Sequence, residues 1–299
     1  MKKSIISLAV LAASVGGFAS SASAVSVDWS QDSGFVFNAL TPQTGGIANA
    51  GPVGPLGGDA RYDALWWGND NPARGTTSAT SPITTVFNAA NQVVSATAAP
   101  FTTDATPDSA LKVSSLNSGP GVNLLTSGAG YIPISDVFHS NQTISSDSSG
   151  LLTSGIVRSL LTIDGNPTPI NDISFLFFET PNNDSNYNCP DGSGISCDIF
   201  QFATGGFGST PISIGGKNYS LSFALIGVSP NAFIINPGDP WGNSNCQAGN
   251  FCVLTKENFV NWLTIGMRLD EVPEPGSLAL LGLGLFGMGA AFRRRKTNG

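Results

Sequence analysis

Alternation is the feature that most limits what this chain can become. In KNYSLSFALIGV, residues 217–228, Tyr219, Leu221, Phe223 and Leu225 alternate with Ser220, Ser222 and Ala224, the period-2 pattern of a strand with one buried face. Gly215 and Gly216 stand just before it between two such runs, a two-residue hairpin signal. Further strand candidates are GIVRSLLTI (155–163), ISFLFFE (173–179), IFQFA (199–203) and NWLTIGMRL (261–269). Only 11% of the 299 residues are charged, while Gly (36) and Pro (19) are abundant, a mixture that starves long helices and suits strands joined by turns. The spacing predicts an all-β fold: a single β-sandwich, jelly-roll-like and with long loops, over residues 25–270. Residues 40–58 and 95–110, dominated by Gly, Pro and small polar side chains, are predicted to be loops.

The two ends differ in character from this body. MKKSIISLAVLAASVGGFASSASA has a basic start at Lys2 and Lys3, an apolar run from Ile5, and small residues at Ala22 and Ala24. That is the layout of a secretory signal helix cut after Ala24 by signal peptidase, so residues 1–24 form the first segment. The last segment is 271–299. Its Val272-Pro273-Glu274-Pro275 is extended, because each proline fixes its own φ and biases the residue before it. Ser277 to Phe292 is almost wholly apolar and as a helix would run about 24 Å, a short transmembrane span against a hydrocarbon core of about 30 Å. Arg293, Arg294, Arg295 and Lys296 close it on the side that the positive-inside rule assigns to the cytoplasm.

Without its ends the chain is strongly acidic. Residues 25–270 hold 7 Lys and Arg against 18 Asp and Glu, a net charge of −11, which repels nucleic acid and excludes it as a partner. Cys189, Cys197, Cys246 and Cys252 fall late in the chain. An exported chain with an even count predicts two disulfides over a metal site, since neither spacing is Cys-x-x-Cys and the chain has 1 His. Three pairings are open, and the turn-rich CPDGSGISC and CQAGNFC favour the local one.

Chemistry is sparse. His139 has no Gly-x-Ser-x-Gly partner, and the nearby Asn141 suggests a hydrogen-bond network that fixes a strand or loop. No catalytic residues are assigned and no enzyme is expected; a secreted hydrolase would need paired carboxylates, whose separation a sequence does not give. No cofactor is expected either. The loops DGN (164–166) and DGSG (191–194) carry calcium-type oxygens without the EF-hand pattern and read more simply as turns. Trp66, Trp67 and Trp241 lie in turn-rich stretches and are the candidates for stacking on a sugar, with packing into the core as the favoured alternative.

Pro273-Glu274-Pro275, the short glycine-rich apolar run and the terminal arginines succeed one another in an order that resembles the PEP-CTERM sorting signal of Gram-negative bacteria that make extracellular polysaccharide. The resemblance implies recognition by the membrane transpeptidase exosortase, cleavage near Pro273-Glu274-Pro275, and release or transfer to the surface. The protein would be held briefly in the inner membrane, then reach the outer surface or the biofilm matrix. The body resembles the THxN family of PEP-CTERM proteins through ALWWGNDNPARG (64–75), ISDVFHSNQTI (134–144, with His139 and Asn141 in register) and SFLFFETPNNDSNYNCPDG (174–192). Phe138 stands where that family has threonine. The choice-of-anchor K domain is the competing likeness. Both imply a secreted β-sandwich with no activity to carry over, which leaves a structural or adhesive role in the exopolysaccharide layer as the expected function and a carbohydrate-binding module as the alternative.

Overall fold

The computed structural model describes residues 24–36, 48–56, 59–67, 77–78, 83–98, 109–116, 118, 124–144, 152–168, 171–182, 184–203, 207–236, 246–247, 249–272 and 282–285. Within them the fold is all-β, with only a 3-10 turn at Ser185–Tyr187 and one helical turn at 282–285 besides. Twelve strands make one continuous path: β1 (Trp29–Val36), β2 (Asp59–Trp67), β3 (Ser109–Val113), β4 (Ile132–Asn141), β5 (Ser154–Ile163), β6 (Asn171–Phe178), β7 (Cys197–Ala203), β8 (Ser209–Ile214), β9 (Lys217–Val228), β10 (Ala232–Ile235), β11 (Asn250–Lys256) and β12 (Phe259–Glu271). Their spatial order is β8-β9-β12-β4-β3-β2-β1-β5-β6-β7-β11-β10. The sheet curls, so that β4 and β2 face β6 and β7 across the core, where His139 and Trp67 meet Phe177.

Local sequence explains the phase of each strand. In β5, Val157, Leu161 and Ile163 turn inward with Ser159, and every second residue is more open, because side chains alternate across a strand. In β9, Tyr219 and Leu221 are buried in the main core, with Phe223 and Leu225 packed against it. Gly215 and Gly216 join β8 to β9 with φ of 58° and 80°, the positive values that a two-residue hairpin turn requires. A smaller core lies on the outer face, where Phe138 and Ala64 pack under the hairpin Ile83–Phe87 and Val93–Ala98. Trp262 joins them as a half-buried residue.

Two loop expectations are corrected. Ala48–Leu56 is a strand paired antiparallel with β2, and its register shifts between Pro52 and Pro55. The ladder of β2 supplies its hydrogen bonds, and a bulge accommodates prolines that cannot donate. Ser95 to Ala98 and Ser109 to Ala110 also lie in strands, within Val93–Ala98 and β3. The cysteines pair locally, Cys189 with Cys197 and Cys246 with Cys252. Both bridges share one apolar cluster with Ile199, Ile235 and Leu254. The signal segment and most of the tail lie outside the described residues, and among those described no helix is long and apolar enough to cross a membrane.

Candidate functional site

Register alone builds the site. Phe175 pairs with Phe202 and that with Phe251; Phe177 pairs with Phe200 and that with Val253; Asp198 pairs with Thr255. Continuing the first two rows by two residues sets Glu179 beside Asp198, and two residues beyond Thr255 comes Glu257. The inner face of β6, β7 and β11 therefore ends with Glu179 and Asp198 in the row of Thr255, above two apolar rows, and with Glu257 one row further out.

The opposite wall supplies His139 and Trp67. Their rings stack at 5.7 Å and 15°, and His139 meets Phe177 and Phe200 edge-on at 5.3 and 5.2 Å. Asn141 and Thr143 come next at two-residue steps, which keeps their side chains on the face of His139 and carries them towards the acids. Contacts agree with that placement. Asn141 Nδ2 donates to the Thr255 carbonyl (2.7 Å), and Thr143 Oγ1 donates to Glu257 Oε2 (3.1 Å). His139 Nδ1 lies 2.9 Å from Thr255 Oγ1. That hydroxyl donates to the Asp198 carbonyl, so Nδ1 carries the ring proton and Nε2 is the bare acceptor.

Each acid has one oxygen held and one left over. Trp67 Nε1 donates to Glu179 Oε2 (3.2 Å), and the Thr180 N–H and hydroxyl donate to Asp198 Oδ1 (2.9 and 3.3 Å). Glu179 Oε1, Asp198 Oδ2, Glu257 Oε1 and Asn141 Oδ1 are buried without a protein partner. Asp198 is 0% and Glu257 3% exposed. One oxygen from each acid lies within 4.8 Å of the other two, a grouping able to hold a metal ion. Burial disfavours the charged form: it raises all three acids, and repulsion from neighbouring acids adds to it at Glu179 and Asp198. Burial also holds His139 neutral, lowering it to about 3.

The sequence-derived candidates are thus distributed unevenly. His139 and Asn141 belong to this site. Trp67 is closed off at 1% exposure and cannot stack on a sugar, while the side chain of Trp66 and all of Trp241 lie outside the described residues. The Asp-Gly loops act as turns. Asp164 and Gly165 both take positive φ, and Asp191 accepts from the Ser193 N–H and pairs with Lys256 at 2.6 Å. Sequence reasoning missed Glu179, Asp198 and Glu257 as a group. Their one sequence signal is phase: Asp198 alternates with Phe200 and Phe202, a charge on a face that is otherwise core.

A separate cavity of about 250 Å³ opens between β1, β5 and the start of β8, lined by Gln31, Ser33, Ser135, Ser159, Phe207 and Thr210 among others. Gln31 Nε2 donates to Ser159 Oγ at 2.9 Å on its floor.

At the far end of the fold, β12 runs to Glu271, and the Val272 N–H still bonds the Asn218 carbonyl (2.9 Å). Comparison with known families decides the nature of the tail. Residues 271–296 match the PEP-CTERM protein-sorting motif. The motif marks an exported surface protein, addressed to exosortase by a membrane-associated signal. Pro273, Glu274, Pro275, Arg293, Arg294 and Arg295 all fall within it, though outside the described residues. No curated protein matches the chain. The likeness of residues 60–270 to the THxN and choice-of-anchor K proteins rests on its motifs.

Proposed function

We propose that the mature domain is a non-catalytic structural or adhesive component of the exopolysaccharide layer. The observation that carries this reading is the junction itself: a disulfide-stapled β-domain passes from its last strand straight into the PEP-CTERM motif at residue 271. The closed interior supports a role without catalysis. A hydrolase must bring its carboxylates to a glycan, and Asp198 and His139 are both 0% exposed. The test has two arms. Terminal mapping and intact mass of the protein from the host's medium and envelope are expected to give a form starting at Val25 and ending near Pro273-Glu274-Pro275. That form is expected to sediment with the host's polysaccharide without cutting it. Glycan hydrolysis lost on a single carboxylate substitution, or a form retaining Ser277 to Gly299, overturns the reading.

The alternative of a carbohydrate-binding module is favoured by one observation, the 250 Å³ cavity with its hydroxyl and amide floor and the flank of Phe207. Polar groups beside an aromatic face suit a sugar ring. Under this reading Phe207→Ala weakens glycan binding and leaves the melting temperature nearly unchanged.

A further inference from the structure

Three acids come together at the rim of the core, one oxygen of each within 4.8 Å of the other two, and Glu179 Oε1, Asp198 Oδ2, Glu257 Oε1 and the Oδ1 of Asn141, which bonds Thr255 beside Asp198, are buried without a protein partner. Among the described residues, no lysine or arginine forms an ion pair with the three acids, and Lys256, next to Glu257 in sequence, is committed to Asp191. Buried carboxylates without a positive partner are strongly disfavoured in their charged form.

We propose that Glu179, Asp198 and Glu257 bind one divalent cation of the calcium type, with the amide oxygen of Asn141 completing the protein's share of the ligands. The donor set is all oxygen, which suits a hard cation. Zinc or copper would seek nitrogen or sulfur, yet His139 stands outside the group and all four cysteines are bridged. One oxygen of each acid lies within 4.8 Å of the other two, close enough for a single ion to touch all three. Orientation is built in as well. The Trp67 indole, the Thr180 N–H and the Thr143 hydroxyl each hold one oxygen of a different acid. Donors of this kind fix how a carboxylate presents its other oxygen to a metal. Asn141 is the independent witness: it is fully buried, its Nδ2 is held on the carbonyl of Thr255, the strand partner of Asp198, and its oxygen has no protein partner.

The cation would join the ends of β6, β7 and β11 to the end of β4. An exported protein meets calcium at concentrations where even a site of modest affinity fills.

The test uses the exported protein, dialysed against EGTA or about 1 mM calcium, the range in which extracellular modules bind. Equilibrium dialysis is expected to find one calcium per chain, and the melting temperature to be higher with calcium than with EGTA. Terbium in place of calcium is expected to luminesce on excitation of tryptophan, because the Trp67 indole touches Glu179, and to titrate to one ion per chain. Asp198→Asn and Glu257→Gln are each expected to weaken binding on the order of 100-fold and to abolish the calcium-dependent rise in melting temperature. Absence of bound metal with identical melting in EGTA and calcium overturns the proposal, since the acids are then simply protonated. A calcium effect that survives in both variants also overturns it, because the ion must then lie elsewhere.

Discussion

Asp136 sits across the strand pair from Thr264, whose hydroxyl donates to its Oδ1 at 2.5 Å, while its Oδ2 is buried without a protein partner. Burial raises its pKa from 3.8 to about 6, with the Thr264 bond opposing. Between those values the folded chain holds a proton that the unfolded chain has released, so stability falls as pH rises from about 4 to about 6 and is level above. The loss amounts to about 2–3 kcal/mol. Asp136→Asn keeps an acceptor for Thr264 and removes the titration; it is expected to exceed the parent in stability at pH 7 and to lose that advantage near pH 4. Urea unfolding of both proteins across this window checks it, and a difference that does not change with pH refutes the account. The same physics explains what the sequence reveals of the site. His139 and Asn141 stand out as a polar pair close together in sequence. Glu179, Asp198 and Glu257 are scattered along it, and only the register of three strands brings them to adjoining positions at one end of the sheet.

Strands whose own residues alternate are readable; strands held by their neighbours are not. Residues 217–228 match β9 end to end because Tyr219 and Leu221 fall on one face. Ala48–Leu56 carries Gly and Pro and has no such rhythm, so its pairing with β2 is decided outside its own sequence. The β8–β9 hairpin belongs to the first kind, and its turn makes a sharp prediction. Gly216 has φ of 80°, where a Cβ is strained whatever the space around it. Gly216→Ala is therefore expected to cost about 1–2 kcal/mol in denaturant unfolding, whereas Gly215→Asn, at φ of 58°, is expected to cost only a few tenths because Asn tolerates that region. Equal costs at the two positions would count against this turn. The bridge Cys246–Cys252 closes a loop of sequence separation 6 next to β11. Opening it as Cys246→Ser with Cys252→Ser is expected to lower stability by about 2 kcal/mol, mostly through the freer unfolded chain, as read by unfolding of the oxidised parent and the variant.

The fold and its sorting motif leave almost no space between them. β12 is paired on both sides, with β9 and with β4, and the ladder persists to the bond from Val272 to Asn218. From Val272 to Ser277 is five residues, at most about 17 Å of fully extended chain. Insertion of the apolar run into a membrane would therefore hold the domain close against it, and any cut near Pro273-Glu274-Pro275 would fall one to three residues from the sheet. A folded edge so near the target bond restricts a membrane enzyme's access to it. Inserting six Gly and Ser residues between Val272 and Pro273 is expected to leave the melting temperature unchanged and to speed conversion of the long form to the short form in a pulse–chase. Lys217→Ala, which removes only the surface pair with Glu271, is expected to change neither, because exposed ion pairs contribute about 0–1 kcal/mol. Slower conversion of the spaced variant would mean that the enzyme reads the rim of the sheet together with the motif. In that case the final strand is itself part of the sorting signal.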